Sequence, residues 1–174
     1  MSGNAPDTLT GTTSGLRLAR ADYADACDAD AVVTLLDLYA RDPMGGGEAL
    51  PADVRARLVP GLAAQPGAFS LLAWEGETPV GLTNCFTLYS TFAAAPLINI
   101  HDIVTHPDHR RKGVARALFA GIEARARSIG ACKVTLEVLS GNLAAKALYA
   151  SLGYGDYVLD PAAGHALYWQ KRLT

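Results

Sequence analysis

Residues 98–115 read INIHDIVT followed by HPDHRRKGVA, and this stretch decides the fold. Its first eight residues are rich in β-branched side chains, which predicts a strand. The next residues are polar and charged and include Pro107, which predicts a turn. From Gly113 onward apolar residues recur at helical spacing, at Val114, Leu118, Ile122 and Ile129. The stretch is therefore predicted to form a strand, a short turn and a helix.

The turn is strongly basic, with Arg110, Arg111 and Lys112 followed by Arg116 in the helix. A helix N-terminus leaves backbone N–H groups unpaired and carries about half a positive charge, so this turn is predicted to bind an anion such as pyrophosphate. Gly113 lets a ligand approach that backbone closely. From the RRKG residues alone, a solvated turn that caps the helix is the alternative. No Walker A pattern and no GxGxxG after a strand occurs, which excludes the usual triphosphate and dinucleotide sites.

The chain on either side alternates between strand and helix patterns. Before the stretch we predict a strand at 15–20, a helix that opens at Asp22, a helix near 52–64, and strands at 69–74 and 79–88. After its helix we predict a strand at 132–139, a helix at 142–152 and a terminal hairpin of 154–159 with 165–172. A flexible loop is expected at 42–47, where three glycines follow Pro43 and Met44. This order indicates an α/β (α+β) protein with one mixed, largely antiparallel sheet.

The composition favours one folded domain. The chain has 174 residues, of which 50% are hydrophobic and only 18% charged, and its mean hydropathy is +0.15. These values are typical of a chain that buries a core. Residues 1–15 contain no basic residue and no apolar block, so we expect a flexible N-terminal tail followed by a domain at 16–174. No apolar run reaches the roughly 18 residues of a membrane-spanning helix, and we expect no membrane partner.

Charge and cysteine content bear on partners and location. The net charge is −2, which gives no electrostatic reason to expect nucleic acid binding. The charge is uneven, however, because residues 1–100 carry −6 and residues 101–174 carry +4. Cys27, Cys85 and Cys132 are far apart and odd in number, unlike a disulfide framework or a zinc site. We therefore expect buried thiols, no metal and a reducing cytoplasm.

Residues 110–115, RRKGVA, resemble the RxxGxA form of the acyl-CoA pyrophosphate loop of the GNAT N-acetyltransferase superfamily. A second stretch at 136–154, LEVLSGNLAAKALYASLGY, is similar to another motif of that family. The strand INIHDIVT, with FTLYSTF at 86–92, looks like the spermidine/spermine-type branch, in which an acidic pair takes the place of His101 and Asp102. Together these motifs cover roughly residues 98–158.

The resemblance implies a GNAT fold, in which about four helices flank a twisted sheet and the central strands splay to admit the pantetheine arm of acetyl-CoA. The backbone of Ile103, Val104 and Thr105 would pair with that arm. The pyrophosphate would be held by loop residues, namely Arg110, Arg111, Lys112, Gly113, Val114, Ala115 and Arg116. Asn142 would contact the arm and Tyr149 would protonate the leaving thiolate. Asn142 and Tyr149 are seven residues apart, so one helix face carries both, with Lys146 between them.

The resemblance implies direct transfer to a primary amine in a ternary complex, which needs a base. Histidine has an ordinary pKa near 6.5 and is a competent base at neutral pH, so His101 is one candidate and Asp102 another, with water a third. Consecutive strand residues face opposite sides of a sheet unless a bulge intervenes, so we expect one of the two to face the cleft.

The acceptor site is expected to come from the first two helices and residues 86–96. Asp37, Asp42 and Glu48 would attract a cationic amine there, or would only solvate helix surfaces. A small amine or polyamine is favoured, and an amino acid or a protein amine stays open. The alternatives are a non-catalytic acyl-CoA-binding module and a protein whose basic turn meets RNA phosphate. A homodimer is expected by analogy alone.

Overall fold

The computed structural model describes residues 11–13 and 15–173. Its strands are β1 (Gly11–Thr13), β2 (Leu16–Arg20), β3 (Ala68–Glu75), β4 (Thr78–Ser90), β5 (Ala95–Thr105) and β6 (Val134–Leu136). Its α-helices are α1 (Ala26–Arg41), α2 (Ala52–Ala64), α3 (Val114–Ser128) and α4 (Leu143–Ser151). The strands form one sheet in chain order, antiparallel except for β5 and β6, which are parallel. This mixed, mostly antiparallel sheet with four described helices confirms the predicted fold class.

The chain divides into two compact units, residues 1–136 and residues 137–174. The sheet and the first three helices belong to the first unit, and α4 belongs to the second. Gly11–Thr13 pair with β2 inside the segment where the sequence predicts a tail, while positions 1–10 and 14 lie outside the described residues. In the described part of the chain, no helix is long and apolar enough to cross a bilayer.

Helices cover both faces of the sheet in the first unit. On one face α1 and α2 bury a cluster with Leu72 and Leu82. On the other face α3 lies so close that a Cβ at Gly81 would collide with Val114. Gly81 and Leu82 are consecutive and therefore face opposite sides, as their different partners show. Because both faces are covered, consecutive residues of β3 and β4 are buried instead of every second one.

The loop between α1 and α2 is held by hydrogen bonds, contrary to the flexible loop expected at 42–47. The backbone N–H groups of Gly45 and Gly47 donate to the Asp42 carbonyl at 2.7 and 3.1 Å. The Leu50 N–H donates to the Asp37 carboxylate at 2.8 Å. A Cβ at Gly45 would collide with the Tyr39 carbonyl, so glycine is required there for a close approach. The glycines serve a compact turn.

Two further expectations from the sequence are wrong. The predicted terminal hairpin is absent, since residues 154–173 contain no strand in the structure. The large apolar side chains of this segment, such as Tyr168 and Trp169, are exposed, so their alternating pattern buries no face.

Only Cys85 is buried among the cysteines, because Cys27 and Cys132 lie at element ends on the surface. Burial raises the pKa of the Cys85 thiol to about 12, which makes it an inert thiol.

Candidate active site

A β-bulge in β5 orients the two candidate bases. Asn84 of β4 pairs with Asp102, whereas the next residue, Cys85, pairs with Ile100, so His101 is an extra residue without a direct partner on β4. Asn84 and Cys85 are consecutive and face opposite sides of the sheet. Ile100 and Asp102 therefore also face opposite sides, although they are two residues apart. The bulge turns Asp102 toward the face that carries α1 and α2.

His101 lies on that same face. Its ring meets the ring of Phe86 edge-on, with centroids 5.5 Å apart and planes at 87°. Phe86 is two residues from Asn84 on β4 and so shares its face. His101 is exposed and Asp102 is partly buried. Consecutive strand residues normally face opposite sides of a sheet, but the bulge interrupts this alternation. Both candidate bases therefore lie on one side of the sheet.

Neighbouring side chains hold and polarise the Asp102 region. The Asn84 side-chain amide donates from Nδ2 to Asp102 Oδ2 at 3.0 Å. The Thr83 hydroxyl donates to the Asp102 backbone carbonyl at 2.9 Å. The pKa of Tyr39 on α1 is raised, first by burial and then by the negative charges of Asp102 and Asp42. The Tyr39 hydroxyl therefore stays protonated at neutral pH beside this carboxylate.

Sequence reasoning missed two residues that extend the contact at Asn84. The Ser70 hydroxyl donates to Asn84 Oδ1 at 2.6 Å, and it lies 2.8 Å from the Tyr23 hydroxyl oxygen. Ser70 and Asn84 are buried polar residues in the middle of β3 and β4. Asparagine is unfavourable inside strands, so Asn84 within the predicted strand at 79–88 was the sequence signal that could have indicated this contact.

The turn that the sequence predicts to bind an anion lies between β5 and the start of α3. Pro107–His109 make one 3₁₀ turn, and Arg111 and Gly113 have φ angles of +62° and +87°. Gly113 is the N-cap residue, and no side-chain hydrogen bond caps this helix end. Its backbone is open, because a Cβ at Gly113 would meet no described atom within 4 Å. The first N–H groups of α3 are therefore available to an anion.

The other predicted ligands of the turn differ in exposure. Arg111, Lys112 and Arg116 are exposed, and Ala115 is partly buried. Val114 is buried, so only its backbone can serve a ligand. At the end of β5, the Thr105 hydroxyl is buried and makes no hydrogen bond within the described residues. A buried hydroxyl without a partner at this position is a group that a polar ligand can satisfy.

Arg110 connects this turn to the loop after α1. Its guanidinium donates to Asp42 Oδ2 at 2.9 Å. The pKa of Asp42 is lowered, first by the hydrogen bond from the Met44 backbone N–H and then by Arg110. The pKa of Asp37 is also lowered, first by its hydrogen bond with Arg41. Two of the three acidic residues expected to attract an amine thus have partners within the protein, while Glu48 is exposed.

The sheet opens next to the candidate bases. β6 pairs with β5 only from Ile98 to Ile100, and it ends at Leu136. Over the described residues, the edge of β5 from His101 to Thr105 pairs with no strand on that side. Ile103 and Val104 lie on this edge, where their backbone groups can pair with an extended ligand. The splay of the central strands expected from the sequence would lie at this edge.

The remaining predicted residues belong to the second unit, described by itself. Asn142 is the N-cap of α4, and its Oδ1 accepts from the Ala145 N–H at 3.1 Å. Tyr149 is partly buried in the last turn of α4, and Lys146 is exposed one turn earlier. The cap uses the carbonyl of the Asn142 side chain, so its NH₂ group is the part suited to a ligand. Within the described residues, no group of three His, Cys, Asp or Glu side chains is placed to hold a metal ion.

Comparison with known proteins gives a family. Residues 32–154 match the family described as Acetyltransferase (GNAT) family. A curated relative, the thialysine N-epsilon-acetyltransferase of Caenorhabditis elegans, is 34% identical over 83 residues. That match covers 48% of this chain and 51% of the relative, so the chain spans about half the length of the curated relative.

Solved structures share the fold at low sequence identity. A probable acetyltransferase superposes with a TM-score of 0.74 at 19% identity, covering 91% of this chain and 98% of that one. A ribosomal-protein-alanine N-acetyltransferase from Brucella melitensis biovar Abortus 2308 gives 0.63 at 21%, covering 83% and 98%. At these identities the likeness concerns the fold alone.

Proposed function

This chain belongs to the GNAT acetyltransferase family, and we propose that it is an acyltransferase that moves the acetyl group of acetyl-CoA directly to a primary amine. One observation carries the proposal. A single strand, β5, presents two proton-accepting side chains on one face and then leads into an uncapped, cationic helix N-terminus. That combination serves a reaction in which the phosphates of a substrate are anchored at one end of a strand and a base acts further along the same strand.

The turn before α3 fits the pyrophosphate of acetyl-CoA. Gly113 leaves its backbone open, and Arg111, Lys112 and Arg116 add positive charge at the surface. The unpaired edge of β5 from Ile103 to Thr105 suits the amide groups of a pantetheine arm. These features support the cofactor assignment, with Asn142 and Lys146 as further ligands from α4.

Acetyl-CoA supplies the thioester whose acetyl group is transferred. The amine must lose a proton to attack, a C–N bond forms, the C–S bond breaks, and the departing sulfur gains a proton. We assign the first proton to Asp102 or His101, directly or through water. We assign the second to Tyr149 as general acid. No covalent acyl-enzyme is needed, because the two substrates meet in a ternary complex.

The acceptor is proposed to be a small cationic amine. The relative named as a thialysine N-epsilon-acetyltransferase acts, by its name, on a side-chain amine. This supports the prediction, drawn from the strand motif, that the acceptor is a small amine or polyamine. Asp102 would hold the ammonium end. Amino acids and protein amines remain alternative acceptors. Location in the cytoplasm, a homodimer, and the lack of nucleic acid or membrane partners stay predictions from the sequence.

A CoA-release assay tests the proposal. Acetyl-CoA is supplied with polyamines, lysine analogues, aminoglycosides or peptides, and a reaction without acceptor is the background. Turnover with one amine class that is lowered in Tyr149→Phe supports the proposal and names the acceptor class. Tight acetyl-CoA binding with no turnover of any amine would instead favour the non-catalytic acyl-CoA-binding module, which has no need of an acid at Tyr149.

A further inference from the structure

A row of polar side chains crosses the sheet on the face of α1 and α2. Ser70, Asn84 and Asp102 are direct cross-strand partners on β3, β4 and β5. The adjacent row on the same face is apolar and consists of Leu72, Leu82 and Val104. Ser70 is fully buried and Asn84 is 2% exposed. Ser70 and Asn84 are therefore polar residues buried at positions that hydrophobic residues could fill, as they do in the adjacent row.

The hydrogen bonds in this row have one direction. An ionised carboxylate only accepts, so the Asn84 NH₂ group must face Asp102, and Asn84 Oδ1 must face Ser70. The Ser70 hydroxyl then donates its single proton to Asn84 Oδ1 across 2.6 Å. The Tyr23 hydroxyl is left to donate to Ser70 Oγ across 2.8 Å. The pKa of Tyr23 is raised, mainly by burial, so this hydroxyl keeps its proton at neutral pH.

We infer that Asn84 is a positioning residue, locked by Ser70 and Tyr23, that fixes the Asp102 carboxylate for the acceptor amine. This inference rests on the proposed function. Asn84 donates to Oδ2 of Asp102 at 3.0 Å, and Oδ1 is the carboxylate oxygen that we assign to the ammonium group. An amide does not pass a proton along, so the row holds a geometry and conducts no proton.

This role of the hydrogen-bonded row accounts for the buried polar residues at these positions. Asp102 follows a bulge, where the regular ladder of hydrogen bonds is interrupted, and its side chain needs another constraint. The amide of Asn84 is itself prevented from rotating by Ser70, which is prevented from rotating by Tyr23. Satisfied buried polar networks of this kind fix one conformation.

A double-mutant cycle tests the inference on the full chain. Asn84→Leu should lower kcat/KM for the amine about 10- to 100-fold, the usual worth of a hydrogen bond to a charged group. The KM for acetyl-CoA should not change. In an Asp102→Asn background the same substitution should cost less than about 2-fold, because its target has gone. Asn99→Leu is the matched control, since it removes a cross-strand bond to the neutral Thr135 hydroxyl.

Ser70→Ala provides a milder variant in case Asn84→Leu folds poorly. It should reproduce part of the loss in kcat/KM, again only when Asp102 is present. If Asn84→Leu or Ser70→Ala lowers kcat/KM as much in the Asp102→Asn background as in the wild type, the inference is overturned. Full activity of Asp102→Asn alone would also overturn it. An equal loss in Asn99→Leu would also overturn it, since the effect would then come from sheet packing.

A readout without turnover separates this inference from the proposed function. In ¹⁵N–¹H spectra, the Asn84 side-chain amide should be protected from solvent exchange and should shift when Asp102→Asn removes the charge. If it does not respond, the positioning contact is refuted while acetyl transfer stands. If no amine is turned over by the wild-type protein, the proposed function fails first, and the inference fails with it.

Discussion

Replacing Gly113 by glutamate tests the cofactor site, and Gly130→Glu is its matched control. The two glycines flank the same helix, with φ angles of +87° and +65°. At both positions an added Cβ meets no described atom within 4 Å, so the main folding cost is the left-handed backbone. That cost is about 1–2 kcal/mol for a residue with a side chain. Each variant should therefore lose about 2–8 °C in melting temperature for a chain of this size.

Binding should separate the two variants sharply. A glutamate at Gly113 stands at the open N-terminus of α3, where a pyrophosphate would lie. At a separation of about 6 Å and an effective dielectric constant of about 40, each pair of unit charges repels by about 1.4 kcal/mol. Two phosphate charges give roughly 100-fold weaker binding, and the side chain also fills the approach to the backbone. A glutamate at Gly130 lies at the opposite end of the helix and should leave binding unchanged.

Titration calorimetry with acetyl-CoA, at one ionic strength, measures the difference. Circular dichroism melting of both variants establishes that equal strain has been introduced. The reasoning is refuted if Gly113→Glu binds acetyl-CoA as tightly as the wild type. It is refuted as well if both variants lose affinity equally, because strain alone would then explain the result.

Three further outcomes are expected. Tyr149→Phe should lower kcat roughly 10- to 10³-fold with acetyl-CoA affinity intact, and full activity would make the tyrosine structural. His101→Ala should alter the acidic limb of the pH–rate profile if the imidazole is the base, whereas an unchanged limb would shift that role to Asp102 or to water. Asp42→Asn should cost about 1 kcal/mol of stability at pH 7, because the folded state lowers the pKa of Asp42. That stability is present above the unfolded pKa of about 3.9 and is lost as the pH falls through the lower folded value, so denaturation curves of variant and wild type should converge in acid.

The local chemistry of the turn at 106–113 could be predicted from sequence because it depends on neighbours in the chain. Glycine at position 113 and the helical pattern after it specify a helix N-terminus without any distant contact. The strand and helix periods of the first unit are equally local, and the predicted α2 and the observed Ala52–Ala64 agree.

The orientation of Asp102 could not be predicted in this way. An extra residue in a strand is defined only against its partner strand, and the pairing of β4 with β5 is absent from the sequence of either one. The contact of Asn84 with Ser70 and Tyr23 has the same origin, since Tyr23 is 47 positions from Ser70. The terminal hairpin failed for a related reason, because an alternating pattern becomes a strand only where it finds a partner and a face to bury.

The bulge at His101 also bears on how this chain tolerates changes in length. A deletion within a central strand normally turns every following side chain to the wrong face. Here Ile100 and Asp102 already pair with consecutive residues of β4, so deleting His101 would join two segments that are in register. Strand β5 thus contains a position at which one residue can be added or removed while the rest of the strand stays in register with β4.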